Sequence, residues 1–538
     1  MKRIQKRYTK NTLAVAVLMA IGGTAQADVD GWSFSEQNAR STALQSGYMN
    51  LIDSYNVWVN PALVVKNSNH VDVRITDNGS RDEDSAGAFK TWGDNTFGAY
   101  LGRPSGSLLG FVNVLSDFNN LSTYGATRNS EAVPDAPAVN NPRNQFDLFW
   151  GTSTLPTVNL GARLNFQAIS NSHDLPVYTS QAPNVFQTTD PTRTTDTVSN
   201  NDTDTSAREL NLAFGVADKA GVWDATLLYG RPSSDSKSAL TDQRMTETLV
   251  AGAYTARAIN DFDGTQKVSS NGAKNLGLAA RWLNPVPNSI ATFMYQRQDN
   301  SYKNKINSTV RDRSDGGVIG TVDGTDFDNT TSYTESGKFT LKDNAWSLWF
   351  TRNFTPVANS LVIATLGLAK ANDETKTVNT VTANSTLNNL NATTTYNNGV
   401  SSPTTFARLG TQTNSTYKDT STTLPLILGF ESQVTSSTTL RAAVRKNLYQ
   451  SFTTRSTTET WAFPASGTVG GATATNTINT VTKKDKTTSV WDTDTTLTLG
   501  AGYKVDSFIV DAVLQKEFVT AGVDNGLVSR VNVTYLLP

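Results

Sequence analysis

The stretch "VNLGARLNFQA", Val158 to Ala168, alternates without a break. Val158, Leu160, Ala162, Leu164, Phe166 and Ala168 form one row. Asn159, Gly161, Arg163, Asn165 and Gln167 form the other. A period of two is that of a β-strand whose faces meet different surroundings. One face needs an apolar environment, and the other has to accommodate an arginine.

The pattern recurs along the chain. Leu210, Leu212, Phe214 and Val216 make an apolar row, as do Leu276, Leu278, Ala280 and Trp282, and Leu497, Leu499, Ala501, Tyr503 and Val505. Each run is about 8–12 residues, the length a tilted strand needs to cross a bilayer. The connectors alternate in kind. Short ones such as "DKAG" (Asp218 to Gly221), "NPVPNS" (Asn284 to Ser289), "TPVAN" (Thr355 to Asn359) and "DS" (Asp506 and Ser507) use turn-forming residues. Long ones, rich in Thr, Ser and Asn, lie between them. Short turns on one side and long loops on the other mark an antiparallel transmembrane β-barrel.

Counting on this basis gives an all-β barrel of sixteen strands within a range of 14–18, from His70–Thr76 through Phe97–Gly102 and Ser107–Leu115 to Ser529–Leu537. The segment Met245 to Asp261 is read as a short helix in an outer loop, because Leu249, Ala253, Ala256 and Ile259 suit helical spacing. Aromatic residues near strand ends, among them Trp150, Trp223, Trp282, Tyr503 and Phe508, suit the two membrane interfaces.

If the apolar rows face lipid, the opposite rows line the lumen. They carry Asp147, Arg163, Glu209, Asp224, Arg281, Glu431, Arg441, Arg445, Asp511, Glu517 and Arg530. An arginine facing mid-membrane lipid costs about 2–4 kcal/mol, so an enclosed polar interior is the favourable place for them. Mixed signs suit either a weakly selective pore or ion pairs that brace the wall and hold a plug.

Residues 1–27 read as an export signal: a basic start, the apolar run Leu13 to Ile21, and Ala25-Gln26-Ala27 as the cleavage site. The signal holds five of the 46 basic residues, which leaves 41 against 47 acids and a net charge near −6. That balance argues against a nucleic-acid partner. The chain has no Cys, so no disulfide. His70 and His173 are its only histidines and lack metal-ligand spacing. No metal, no cofactor and no catalytic site is expected.

Residues 28–66 form a distinct N-terminal segment before the barrel at 67–538. Within it, Ala39 to Met49 suits a helix, and Asn60-Pro61-Ala62 is a stiff turn, since proline fixes its own φ and restricts the residue before it. With Ala39-Arg40, Gly47, Asp53 and Asn60-Pro61-Ala62, this segment resembles the start of the outer-membrane long-chain fatty-acid transporters and the related secretion-system barrels. The resemblance covers about 35 residues. It implies a hatch folded inside the barrel. The alternative is that Asn60-Pro61-Ala62 only turns the chain into its first strand. This chain departs from the family pattern at Gln45-Ser46, where a glycine pair is commoner, and in having sixteen strands where many members have fourteen.

The functional expectation is an outer-membrane barrel passing small solutes, hydrophobic ones among them, into the periplasm. Its partners would be membrane lipid and the solute, with a protein partner at the outer loops or in the lumen as a further option. The alternatives are a plugged barrel that binds or scaffolds another protein, and a soluble exported β-protein.

Overall fold

The computed structural model describes residues 39–45, 50–76, 85–102, 144–174, 178–181, 192–250, 253–270, 272–316, 327–389, 404–462, 478–490, 495–514 and 528–537. The signal sequence, Gly47, Glu517 and the Ser107–Leu115 segment lie outside them.

The strands in chain order are β1 (His70–Thr76), β2 (Ser85–Trp92), β3 (Asn95–Leu101), β4 (Asn144–Thr152), β5 (Val158–Asp174), β6 (Tyr178–Gln181), β7 (Thr192–Asp218), β8 (Trp223–Val250), β9 (Ala253–Ser270) and β10 (Lys274–Leu283). They continue with β11 (Ser289–Gly316), β12 (Phe327–Phe354), β13 (Ser360–Asn389), β14 (Thr404–Gln433), β15 (Thr438–Ala462), β16 (Ile478–Val490), β17 (Thr495–Val505), β18 (Phe508–Leu514) and β19 (Val528–Leu536). Neighbours pair antiparallel, and β1 pairs with both β2 and β19, which closes the sheet.

Three of these segments extend others. β6 prolongs β5 alongside β7. β9 and β10 lie end to end between β8 and β11. β16 and β17 lie end to end along β15. The result is a closed antiparallel barrel of sixteen strands. In such a closed sheet no edge strand is left with unpaired backbone groups.

The sheet is inside-out relative to a soluble protein. Leu148, Phe214, Leu227, Leu348, Phe350, Leu366, Leu428 and Phe430 are exposed, whereas Asn159, Arg163, Asn165 and Gln167 are buried. The apolar row of Val158 to Ala168 therefore points outward, and Arg163 points into the bore. The outward apolar band is what a lipid-facing wall requires. Trp150, Trp223, Trp282, Tyr503 and Phe508 stand exposed at the short-turn end of that band.

Turn chemistry explains the short connections. Asn284, Asn288, Asn359 and Asp506 all take positive φ, between 50° and 67°. Asn and Asp are the side chains that best tolerate this left-handed region, after glycine.

Three expectations need correction. First, Met245 to Asp261 is a strand pair, the top of β8 running into β9, and not a helix. Because β9 is collinear with β10, the extra hairpin adds no crossing and the turn parity is kept. Second, β2 is a strand that the alternation rule overlooks. β3 pairs directly with β2 on one side and β4 on the other. Third, much of what reads as long polar loop is continued β-ladder. β13 and β14 are each 30 residues long, and β12 pairs with β13 without interruption from Phe327↔Asn389 to Phe354↔Val362. Thr and Ser suit strands as well as loops when both faces are wet. A tilted strand needs only about 9–11 residues to cross a bilayer, so these hairpins rise well beyond the apolar band. β1, β3 and β18, at seven residues each, do not.

Candidate functional site

The described part of the N-terminal segment, residues 39–45 and 50–66, lies within the bore at the short-turn end. It contains a helix, α1 (Ala39–Ala43), and two 3-10 turns, Ser54–Val57 and Pro61–Val65. The helix is five residues long, shorter than the expected Ala39 to Met49.

Asn60 anchors one end. It is fully buried, caps the Pro61–Val65 turn by accepting from the Ala62 N–H (2.9 Å), and its amide donates to the carbonyls of Val216 (2.9 Å) on β7 and Ala225 (3.2 Å) on β8. Pro61 occupies the first helical position, where a missing N–H costs nothing. The wall facing this turn is bare by necessity. A Cβ on Gly161 would collide with the Pro61–Ala62 backbone, and one on Gly215 with the Asn60 side chain. The glycine in the opening heptad of the Val158 strand is thus the seat of Asn60-Pro61-Ala62.

The other end of the segment docks across the ring. The Ala39 N–H donates to Asn532 on β19 (2.8 Å), Thr498 on β17 donates to the Ala43 carbonyl (2.8 Å), and Arg530 donates to Thr42 (2.8 Å). Counting strands round the ring, β7 and β8 are opposite β17 and β18. The segment therefore spans the bore from wall to wall.

The lumen charges fall into three clusters. Arg281 forks onto Asp224 at 2.8–3.2 Å, with the two side chains only 2% and 3% exposed. Its Nη1 also donates to the Leu51 carbonyl (3.4 Å), and Asp224 accepts from Asn60 (3.4 Å). Arg441 bridges Glu431 and Asp511, each at 2.6 Å, and Glu431 takes a further pair of hydrogen bonds from Arg40 at 2.9 and 3.1 Å. Arg163 sits 3.8 Å from Asp147, donates to the Trp58 carbonyl (3.2 Å) and lies 5.7 Å from the Trp58 ring centre. In each cluster a wall pair also grips the N-terminal segment. Buried ions need such paired geometry to offset their desolvation.

Glu209 stands apart from these clusters. It is buried and accepts from Asn275 (3.1 Å). Arg445 faces inward between Ile427 and Thr496 in the register.

A fourth network was missed by sequence reasoning. Asp72 on β1 accepts from the hydroxyls of Tyr55 and Tyr100 (2.8 Å for the latter) and from Thr534 (3.0 Å), while Asn532 donates to the Tyr55 hydroxyl (2.7 Å). The signal was available: Asp72 is the middle of the inward row His70, Asp72, Arg74. Trp58 was missed as well. It packs edge-on against Tyr100 and Phe149, with centroids 4.9 and 5.0 Å apart, and forms the apolar centre of the segment.

No family model and no curated protein matches the chain. Among solved structures, it is similar to a ferric enterobactin receptor (PfeA) in complex with BCV-L6, at 10% identity over 87% of this chain and 81% of that one, with a TM-score of 0.23. It is also similar to the FrpB iron transporter from Neisseria meningitidis, at 10% identity over 90% and 83% of the two chains, with a TM-score of 0.21. Likeness at this level assigns neither family nor cargo.

Proposed function

We propose that the chain is an outer-membrane barrel that passes small solutes into the periplasm, with its N-terminal segment serving as an internal plug. One observation carries this reading. The segment crosses the bore and is held at both ends by wall residues, Asn60 against β7 and β8 and α1 against β17 and β19. A purely structural lead-in to β1 would need to touch only its neighbours. The resemblance of Asn60-Pro61-Ala62 to the hatch of the fatty-acid transporters supports the same reading. The charged and amide-rich inner wall suits polar solutes better than greasy ones. The reading is non-catalytic. His70 is stacked on Phe89 at 4.9 Å, in the wall.

Single-channel conductance in a planar bilayer tests the proposal. The full-length protein should be silent or nearly so, and a variant lacking residues 39–59 should conduct steadily. Silence in both, from protein shown to insert, would overturn it.

The second reading is a surface scaffold, with the solute path permanently shut and the outer hairpins holding a protein partner. The height of the β11–β15 wall favours it, since a solute barrel does not require strands of 25–30 residues. Conductance on deletion together with failure to take up any solute in the intact protein would select this alternative.

A further inference from the structure

Above the apolar band, the inner wall changes character. On β12, β13 and β14 the outward residues run from exposed Leu348, Leu366 and Leu428 to the charged Lys342, Glu374 and Lys418. Lys418 and Glu374 pair at 2.8 Å on the outer surface, which places this level beyond the lipid. On the inner face at the same level, the cross-strand register aligns acids. Starting from Asn275 on β10, successive partners are Gln298, Asp343, Asp373, Asp419 and Thr454. Residues directly opposite share a face, and strands are spaced about 4.8 Å apart. Asp343, Asp373 and Asp419 therefore form a line about 10 Å long.

Among the described residues none of the three makes an ion pair; Asp419 is hydrogen-bonded by Tyr417, and Asp299, which also acts on Asp343, is paired with Arg297 at 3.0 Å. The charges acting on Asp343 are Asp373 and Asp299, and the charge acting on Asp373 is Asp419. Burial and these like charges push the Asp343 carboxyl up to about 8 and that of Asp373 up to about 6. Directly opposed like charges oppose folding, and they persist where something else uses them.

The second observation is a set of orphan acceptors round the line. Asn300, 2% exposed, lies two residues beyond Gln298 on the same face, and its Oδ1 has no donor. Ser421, 3% exposed, lies two residues from Asp419, and its Oγ has no partner. Asn275 Oδ1, Asp343 Oδ1 and Asp419 Oδ1 are also buried without donors. Buried polar atoms are nearly always satisfied; the orphans in the row of the three aspartates are acceptors, while the Ser421 hydroxyl, one row toward the turns, can donate or accept. Gln296 Nε2, an orphan donor, lies in the same row as Ser421. The acids are strung along a wall rather than gathered, and among the described residues no three His, Cys, Asp or Glu side chains form a group able to hold a metal ion. A row of acceptors asks for a row of donors.

We propose that the line Asp343–Asp373–Asp419, flanked by Asn300 and Ser421, binds an elongated organic cation carrying two or more amino groups. The inference rests on the reading of the chain as a solute-passing barrel, and it names the class of solute that the outer half of the bore receives. Ammonium groups spaced along a flexible chain match three carboxylates in line, and each supplies the donors that the orphan oxygens lack.

The test is calorimetric titration of the intact, folded barrel in detergent with spermidine. Spermidine should bind. Asp373→Asn, which keeps shape and hydrogen bonding, should weaken binding about tenfold or more. Glu374→Gln, which removes an equal charge at the same level on the outer surface, should leave it unchanged. No binding by the wild-type protein, equal loss in both variants, or equal competition by magnesium would each overturn the proposal. The conductance assay separates it from the transport reading. Conduction by the plug-deleted barrel without spermidine binding sinks this inference alone, whereas spermidine binding with no solute passage in either form leaves a binding surface and sinks the transport reading.

Discussion

The two halves of the bore solve the same electrostatic problem in opposite ways. Toward the short turns, Arg281 meets Asp224, Arg441 meets Glu431 and Asp511, and the N-terminal segment fills the remaining space. Toward the long hairpins, Asp343, Asp373 and Asp419 face one another, with Oδ1 of Asp343 and of Asp419 left without a donor. The first half is neutralised by the chain itself, and the second is left with acids. Half of the molecule is therefore built to hold something already present, and half to receive something from outside.

The contrast breaks most visibly if the filled half is emptied. Gly215→Val places side-chain atoms where Asn60 sits, and overpacking of this kind costs about 1–3 kcal/mol in the docked state. The expected outcome is conductance from an otherwise silent barrel, with the Asn60 region newly open to protease. Continued silence and full protection would mean that the segment is not seated on Gly215.

Asp224→Ala is expected to have the largest effect on stability itself. It leaves the Arg281 guanidinium buried without its carboxylate, a loss of about 3–5 kcal/mol. The heat-induced mobility shift of the folded barrel in gel electrophoresis should move to a lower temperature.

The open half responds to pH with a definite sign. The Asp343 and Asp373 carboxyls titrate higher in the folded protein, near 8 and 6, than the ordinary value of 3.8. Their contribution to stability is therefore fully present at acid pH and is lost as pH rises from about 4 through 8. Thermal melting followed by circular dichroism should show this decline, and Asp343→Asn should flatten its upper part. An unchanged profile in the variant would assign the decline to other groups.

The smallest effect is expected on the outer surface. Lys418 and Glu374 are 53% and 37% exposed, and replacing either by Ala should change stability by less than about 1 kcal/mol.

What the sequence made legible follows from this division. A strand with lipid on one face and a charged bore on the other must alternate, so the lipid-crossing parts of β5, β10, β13 and β17 can be read directly. Where both faces meet water, as in the upper parts of β8, β9 and β12, alternation has no cause and the strands read as loop or helix. β2, "SAGAFKTW", escaped for a related reason: its small residues blur the two rows. The inward charges could be placed by parity, but their pairing could not. Arg441 bonds Asp511 across β15, β17 and β18, and only the register brings them together. The aspartate line escaped for the same reason, since its three members are 30 and 46 residues apart.

The span of the N-terminal segment sets an order of events. Ala39 precedes every described strand in sequence, yet it hydrogen-bonds Asn532, 493 residues later, in the last one. Its companion at the other end, Asn60, needs β7 and β8. No partial sheet offers both docking places, because they face each other only after β1 has met β19. The part of the chain made before the described strands is thus the part that settles after all of them. Contacts of such long range form slowly, and the ring must assemble round an unsettled leading segment that locks only once the circle is complete.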